Sequence, residues 1–181
     1  TWREQGSAVP LDVFLGPQGA VLFAGQVTAN DLPAIAESPA RQEIVRQLGA
    51  GQPSVLVVLT GANAAANEAA LAAVDETIAR GGAGKIEPAK LGSDPAAAPT
   101  EPPAIALGRV VLSVADERER WLVRMLAHVE PDLAEFDGQP MVFAVYGRGR
   151  AMEPYIGEGI TADNLSECVS FILGSCSCQV K

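Results

Sequence analysis

Cysteine, histidine and aromatic residues are scarce in this chain. Its 181 residues include 3 cysteines, 1 histidine and only 5% aromatic residues. The sequence contains no Walker loop, no Gly-x-Ser-x-Gly elbow, no His-Glu-x-x-His pair and no dinucleotide-binding fingerprint. No recognisable arrangement of nucleophile and base is present either, so nothing indicates the enzyme classes that these motifs define.

Positive charge and long apolar runs are also lacking. The 22 acidic residues outnumber the 13 basic ones and give a net charge of −9, which repels phosphate backbones and anionic lipid headgroups. We therefore expect no nucleic-acid partner. No apolar run, including residues 55–59, approaches the roughly 20 residues of a membrane-spanning helix, so we expect no membrane insertion.

The chain begins at Thr1 without a methionine or the features of a signal peptide. We expect a soluble protein, either cytoplasmic or exported with its signal removed, and the sequence leaves this choice open. Apolar residues make up 48% of the chain and charged residues 19%, enough to offset the entropy of ordering the backbone. The length fits one domain, or one and a half small α/β units. The oligomeric state is not indicated.

The first fifty residues predict a β-hairpin followed by helices. Residues 11–15 and 20–24 are two β-prone runs separated by a Gly/Pro turn. A short helix is predicted over residues 30–37. A second helix has Ser38 as its N-cap, Pro39 at its first position and Gly49 at its end.

The next segment predicts a buried strand, a helix and a long insertion. Residues 54–60 are a continuous β-branched run, which is typical of a central strand covered on both faces. An Ala-rich helix is predicted over residues 63–80, with Gly81 and Gly82 ending it. Residues 83–106 are rich in proline with almost no large apolar residue to anchor them, so we predict a mobile insertion or linker.

The remaining residues predict a strand-and-helix unit, a hairpin and a terminal helix. A strand over residues 109–114 precedes a helix with Asp116 as its N-cap and Glu119 at the capping-box position. Residues 141–146 and 150–156 form a predicted hairpin. The last helix is predicted over residues 162–173.

This order of elements, with Pro140 directly before a hairpin strand, resembles the thioredoxin-like fold. The closest stretch is residues 139–150 (QPMVFAVYGRGR) and its continuation to the last helix. The resemblance implies a three-layer α/β/α sandwich with a mixed sheet over residues 51–181, preceded by a hairpin-helix element over residues 1–50. It also implies a cis peptide bond before Pro140 and a peptide-binding face around Gln139 and Pro140.

The N-terminal element echoes the end of the predicted sandwich. A Val-Phe pair, a glycine-bearing turn and residues 27–32 (VTANDL) are matched by a second Val-Phe pair, turn and residues 160–165 (ITADNL). We interpret residues 1–50 as the possible second half of a first thioredoxin-like unit. Chance similarity between two hairpin-helix elements is the alternative.

The dithiol of redox-active thioredoxin-like proteins is missing here. In those proteins it lies between the first central strand and its helix, but residues 60–67 (TGANAAAN) contain no cysteine. We therefore predict a non-catalytic binding or scaffold module for a protein or peptide. Asn63 and Asn67 can bind a ligand through their amides, although helix capping is the favoured interpretation. Arg148 and Arg150 form a basic turn that can receive a carboxylate or phosphate, although solvated turn arginines are more usual.

The alternative function uses the cysteines at the C-terminus. Cys176 and Cys178 form a Cys-x-Cys pair, which can bind Cu(I) or Zn(II) or close a strained disulfide. This alternative is a thiol-redox or copper-handling protein; otherwise no cofactor is expected. Cys168 lies on an apolar helical stripe and is predicted to be a core residue. His128 is interpreted as a packing or surface residue, and Trp121 as a core or groove residue.

Overall fold

The computed structural model describes residues 11–15, 19, 21–89, 102–130, 132–136 and 138–174. The elements, in chain order, are β1 (Asp12–Leu15), β2 (Val21–Gly25), α1 (Leu32–Ala36), α2 (Pro39–Gly49), β3 (Ser54–Thr60), α3 (Ala64–Gly82), β4 (Gly108–Ser113), α4 (Arg120–Leu126), β5 (Met141–Tyr146), β6 (Arg150–Ala151), β7 (Tyr155–Ile156) and α5 (Ala162–Leu173). Single turns of 3-10 helix lie at Glu117–Glu119, Leu133–Phe136 and Gly157–Gly159. Within the described ranges, no helix has both the length and the hydropathy needed to cross a bilayer.

Strand β3 lies in the middle of a mixed sheet, as its continuous apolar sequence predicts. The strand order is β4-β3-β5-β6, and β7 also pairs with β5. β3 runs parallel to β4 and antiparallel to β5. The first six residues of β3 are buried, because helices cover both faces of the strand. This double coverage explains why its sequence does not alternate between apolar and polar residues.

The helices form the two outer layers of a sandwich. Leu56 and Val58 of β3 pack in a core that includes residues of α3 and α5. Val55, Val57 and Leu59 pack in a second core with residues of α2 and α4, because successive side chains of a strand point to opposite faces. The predicted α/β sandwich with a mixed sheet is confirmed, and it is compatible with a thioredoxin-like fold.

The N-terminal hairpin forms a separate two-stranded sheet that packs on α4 through aromatic rings. β1 pairs antiparallel with β2. The Phe14 and Phe23 rings make edge contacts with Trp121, at centroid distances of 5.4 and 5.0 Å. Trp121 is buried and is a packing residue, as its sequence position predicts. It stays a prediction that this hairpin and α1 repeat the last hairpin and helix of the sandwich.

The predicted capping box at Glu119 is wrong. Asp116 does cap the turn that leads into α4, because its side chain accepts a hydrogen bond from the Arg118 N–H. Glu119, however, is buried and its Oε1 accepts from the backbone N–H of Ala40 at 2.9 Å. Its carboxylate therefore caps α2, which is distant in sequence, together with Ser38.

Two other predicted boundaries are also wrong. The predicted strand over residues 150–156 is divided into β6 and β7, and Pro154, which has no N–H to donate, lies in the gap. Helix α3 does not stop before Gly81 but includes Gly82. A Cβ on Gly81 would lie 3.1 Å from Ile105, so this glycine permits close packing instead of ending the helix.

The ends of the proline-rich insertion pack on the sandwich. Ile86 is buried in the core beside α3 and α5. The Ala89 N–H donates to the Ser170 carbonyl at 2.9 Å, and the Ile105 N–H donates to the Gly81 carbonyl at 3.0 Å. The expectation that residues 83–106 lack apolar anchors is therefore wrong for residues 83–89 and 102–106. Residues 90–101 lie outside the described part of the chain.

Candidate functional site

Two of the predicted site segments meet at one edge of the sheet. β3 ends at Thr60 and α3 starts after Asn63, while Gln139 and Pro140 directly precede β5. Since β3 and β5 are antiparallel neighbours, the end of one lies beside the start of the other. The Ala62 N–H donates to the Gly138 carbonyl at 2.9 Å. We call this the Pro140 edge, consisting of residues 60–63, 67 and 138–140.

The asparagine amides at the Pro140 edge bond to their own loop. Asn63 Oδ1 accepts from the Ala66 N–H at 3.1 Å and so caps α3. Asn67 Oδ1 accepts from the Gly61 N–H, and Asn67 Nδ2 donates to the Gly61 carbonyl, both at 2.9 Å. Asn67 therefore holds the loop as a bidentate clamp. A ligand-binding role for Asn63, whose side chain is exposed, stays a prediction.

Glycine at position 61 allows the two loops of this edge to touch. A Cβ at Gly61 would lie 2.1 Å from the Gly138 carbonyl oxygen and 2.7 Å from the Gln139 carbonyl carbon. Both neighbours are backbone atoms, which cannot move aside as a flexible side chain can. The loop after β3 is therefore in direct backbone contact with the loop before β5.

Pro140 and Gln139 differ in their accessibility. Pro140 is buried, and its carbonyl accepts from the Gly157 N–H at 3.0 Å. The Gln139 N–H donates to the Phe136 carbonyl at 3.1 Å, so this donor is not free to pair with an extended peptide. The Gln139 side chain is exposed and is the group at this position that a partner can contact.

The cysteine that the structure describes is far from being a reactive thiol. Cys168 is buried in the core between α5 and the sheet, and burial raises the pKa of its thiol to about 11. Cys176 and Cys178 lie outside the described residues. Among the residues that are described, no three histidine, cysteine, aspartate or glutamate side chains form a cluster suited to a metal ion.

Arg148 and Arg150 lie at the opposite end of β5. Arg148 lies in the turn that follows Tyr146, and Arg150 is the first residue of β6. The strand between Pro140 and Tyr146 spans about 20 Å. The structure therefore does not bring the predicted arginines together with Asn63 and Gln139. It places them at a groove of about 1100 Å³ between α2, α4 and the β5–β6 turn, which we call the arginine groove.

The arginine groove includes residues that sequence reasoning missed or interpreted differently. Arg41 of α2 and His128 line it. His128 Nδ1 lies 2.7 Å from the Arg124 carbonyl at the end of α4, so one ring nitrogen is engaged. The signal for Arg41 is its spacing, because it stands three and four residues before the apolar residues Ile44 and Val45 on the helix.

A smaller cavity of about 340 Å³ lies at the start of α2. Its charged lining is largely paired: Arg46 donates to Glu43 and holds the pKa of that carboxyl at about 2. The Arg118 guanidinium likewise lowers the pKa of Asp116. Glu119 Oε2 is buried without a hydrogen-bond partner in the described structure, while its other oxygen caps α2. We assign this cavity a structural role.

The fold and these surfaces define an α/β protein with a mixed sheet and a separate N-terminal hairpin. In comparisons with known proteins, no family, no curated protein and no solved structure matches the chain.

Proposed function

We propose that this chain is a non-catalytic thioredoxin-like module that binds a protein or an extended peptide. The observation that carries the proposal is the construction of the loop after β3. Where a redox-active member holds its dithiol, this loop has the Gly61 backbone clamped by Asn67 and a helix start capped by Asn63. Hydrogen bonds and close packing replace the thiols, so the loop keeps a defined shape without a nucleophile.

The sheet topology supports this proposal, because it brings the loop after β3 and the loop before β5 to the same end of the sheet. β3 ends and its antiparallel neighbour β5 begins at the Pro140 edge. The resemblance implies a binding face at this position. The exposed Gln139 and Asn63 side chains lie at this edge. Because the Gln139 N–H is already bonded, we propose that the partner contacts these side chains more than the backbone.

The first experiment measures thiol–disulfide exchange with a disulfide-bonded protein substrate and dithiothreitol. We expect no rate above the uncatalysed reaction, because Cys168 is buried and residues 60–67 have no thiol. Catalysis that disappears in the Cys176→Ser/Cys178→Ser variant would overturn the proposal in favour of the alternative redox function. Stoichiometric binding of Cu(I) or Zn(II) that requires the same two cysteines would favour metal handling.

The second experiment selects peptides from a random displayed library on the immobilised chain. We expect peptides whose affinity falls at least about tenfold for Gln139→Ala and for Asn63→Asp, which keeps the helix cap. Arg80→Gln, on the exposed surface beside Asp163, is the matched control and leaves the affinity unchanged. Selected peptides that bind all variants equally would show that the Pro140 edge is not the binding face.

A further inference from the structure

The arginine groove combines exposed apolar side chains with cations that have no anionic partner among the described residues. We propose that it binds an amphipathic, acidic helix of a partner protein. This surface lies at the other end of β5 from the Pro140 edge, so the proposal does not depend on the function proposed above.

The walls of the groove are apolar, and several of their residues are exposed. Ile44 and Leu126 are buried at its base, while Leu15 is 61%, Val45 64% and Met125 42% exposed. These exposed residues come from the hairpin, α2 and α4, three elements that meet at the groove. A partner helix with one apolar face would cover all three walls at once.

The arginines of the groove differ from most others in the described chain. The described arginines that pair with a carboxylate are Arg46, Arg80, Arg109, Arg118 and Arg120. Arg41, Arg148 and Arg150 have no carboxylate partner among the described residues, although acidic residues outnumber basic ones in this chain. Arg41 instead donates to the Met125 sulfur, and its Nε is buried without a partner.

The positions of the arginines favour a helix over a small amphiphile. Arg41 and Gly49 both line the groove and are eight residues, or about 12 Å, apart on α2. The loop after Gly49 leads to Ser54, which pairs with Tyr146 beside the β5–β6 turn. Cations therefore lie at both ends of the arginine groove. A single carboxylate or sulfate headgroup would reach only one end, whereas carboxylates two turns apart on a helix would reach both.

The other titratable groups that line the groove do not cancel this charge. They are His128, Glu130 and Tyr146, of which Glu130 contributes one negative charge against the three arginines. The groove is therefore a local positive surface on a chain of net charge −9. Such a surface selects an acidic partner and rejects a basic one.

The test uses a synthetic probe of about 18 residues, long enough to fold alone, with leucines on one face and glutamates on the flanks. Matched probes carry glutamine or lysine in place of glutamate. Fluorescence anisotropy measures their binding to the full chain. We expect the glutamate probe to bind at least about tenfold more tightly than the glutamine probe, with an affinity that falls as salt rises, and the lysine probe to bind more weakly still.

Substitution of Arg41, Arg148 and Arg150 by glutamine should reduce the affinity of the glutamate probe at least about tenfold. The Arg148→Gln/Arg150→Gln variant changes only exposed side chains and serves if the triple variant fails to fold. The charge-matched control is Arg46→Gln/Arg118→Gln, whose side chains are 66% and 73% exposed and lie outside the groove.

Three results would overturn the proposal. One is an absence of glutamate-probe binding up to about 1 mM, and another is equal binding to the groove and control variants. The third is occupation by something else: laurate binding in the groove without helix binding, or a dimer in sedimentation equilibrium that the groove substitutions dissociate.

Discussion

The two ends of strand β5 are built in opposite ways. At its start, beside Pro140, the polar groups bond to one another: Asn67 clamps the Gly61 backbone and the Ala62 N–H bonds to the facing loop. At its end, Arg148 and Arg150 are exposed and have no carboxylate partner among the described residues.

The comparison distinguishes residues that stabilise the fold from side chains that are free to contact a partner. Internal hydrogen bonds and backbone contact at the Pro140 edge stabilise the fold and leave only a few side chains for a partner. The exposed Arg148 and Arg150 side chains of the arginine groove contribute little to stability, because they have no ion-pair partner among the described residues. We therefore expect substitutions of the internally bonded residues at the first end, such as Gly61 and Asn67, to change stability, and substitutions of exposed side chains at either end to change binding with little effect on stability.

The largest expected effect is that of Gly61→Ala. The new methyl group would lie 2.1 Å from the Gly138 carbonyl oxygen, so the two loops must separate, and we expect a loss of about 3 kcal/mol in the free energy of unfolding. Urea denaturation measures it. Gly82→Ala is the control, because no atom lies within 4 Å of its new Cβ. Unchanged stability of Gly61→Ala would mean that the loops are not in contact.

The clamp at the same edge gives the next largest effect. Asn67→Ala removes two hydrogen bonds to the Gly61 backbone, and we expect it to cost about 2 kcal/mol. Asn63→Ala removes one capping bond at an exposed helix start and should cost about 1 kcal/mol. Urea denaturation of both variants compares them. An equal or reversed order would show that Asn67 does not hold the loop.

The buried thiol predicts a loss of stability at alkaline pH. The pKa of Cys168 is about 11 in the folded chain against an ordinary value of 9. Below pH 9 the thiol is protonated in both states and its contribution is complete; as pH rises from 9 to 11, ionisation favours the unfolded state. We expect a loss of about 1 kcal/mol between pH 8 and 10.

The Cys168 contribution is isolated by comparison with Cys168→Ala. Burial also raises the pKa of Tyr155 above its ordinary value, so its ionisation contributes at alkaline pH in both proteins, and each variant is measured by urea denaturation at several pH values. Above pH 9 the free energy of unfolding should fall more steeply for the wild type than for Cys168→Ala. Parallel curves would mean that the Cys168 thiol reaches solvent in the folded chain.

The sequence predicts the elements of this fold better than their contacts. The β3 run has the composition of a doubly covered strand, and Ser38 and Asn63 have the local signals of helix caps, so both follow from neighbouring residues. Glu119 also carries a local signal, the capping box, but its carboxylate bonds instead to Ala40. A contact between residues so distant in sequence depends on how α2 and α4 pack, which local patterns do not determine.

The candidate surfaces show the same limit. The resemblance implies a binding face around Gln139 and Pro140, and Asn63 is a separate candidate at the helix start. Arg148 is a candidate by its residue type alone, and the sheet places it at the other end of β5. Arg41 joins it only because tertiary packing places α2 beside α4 and the β5–β6 turn, so the arginine groove is a product of tertiary structure.

The smallest expected effects complete the comparison. Arg148→Gln and Arg150→Gln should each change the free energy of unfolding by less than about 0.5 kcal/mol, because neither arginine has a partner in the described structure to lose. Arg120→Gln is the contrast: Arg120 pairs with Asp31 and lies 5.5 Å from the Trp121 ring, so it should cost about 1 kcal/mol. Thermal unfolding of the three variants measures this order. A cost above about 1 kcal/mol for Arg148→Gln would show that it supports the fold, and the contrast between the two ends of β5 would then be lost.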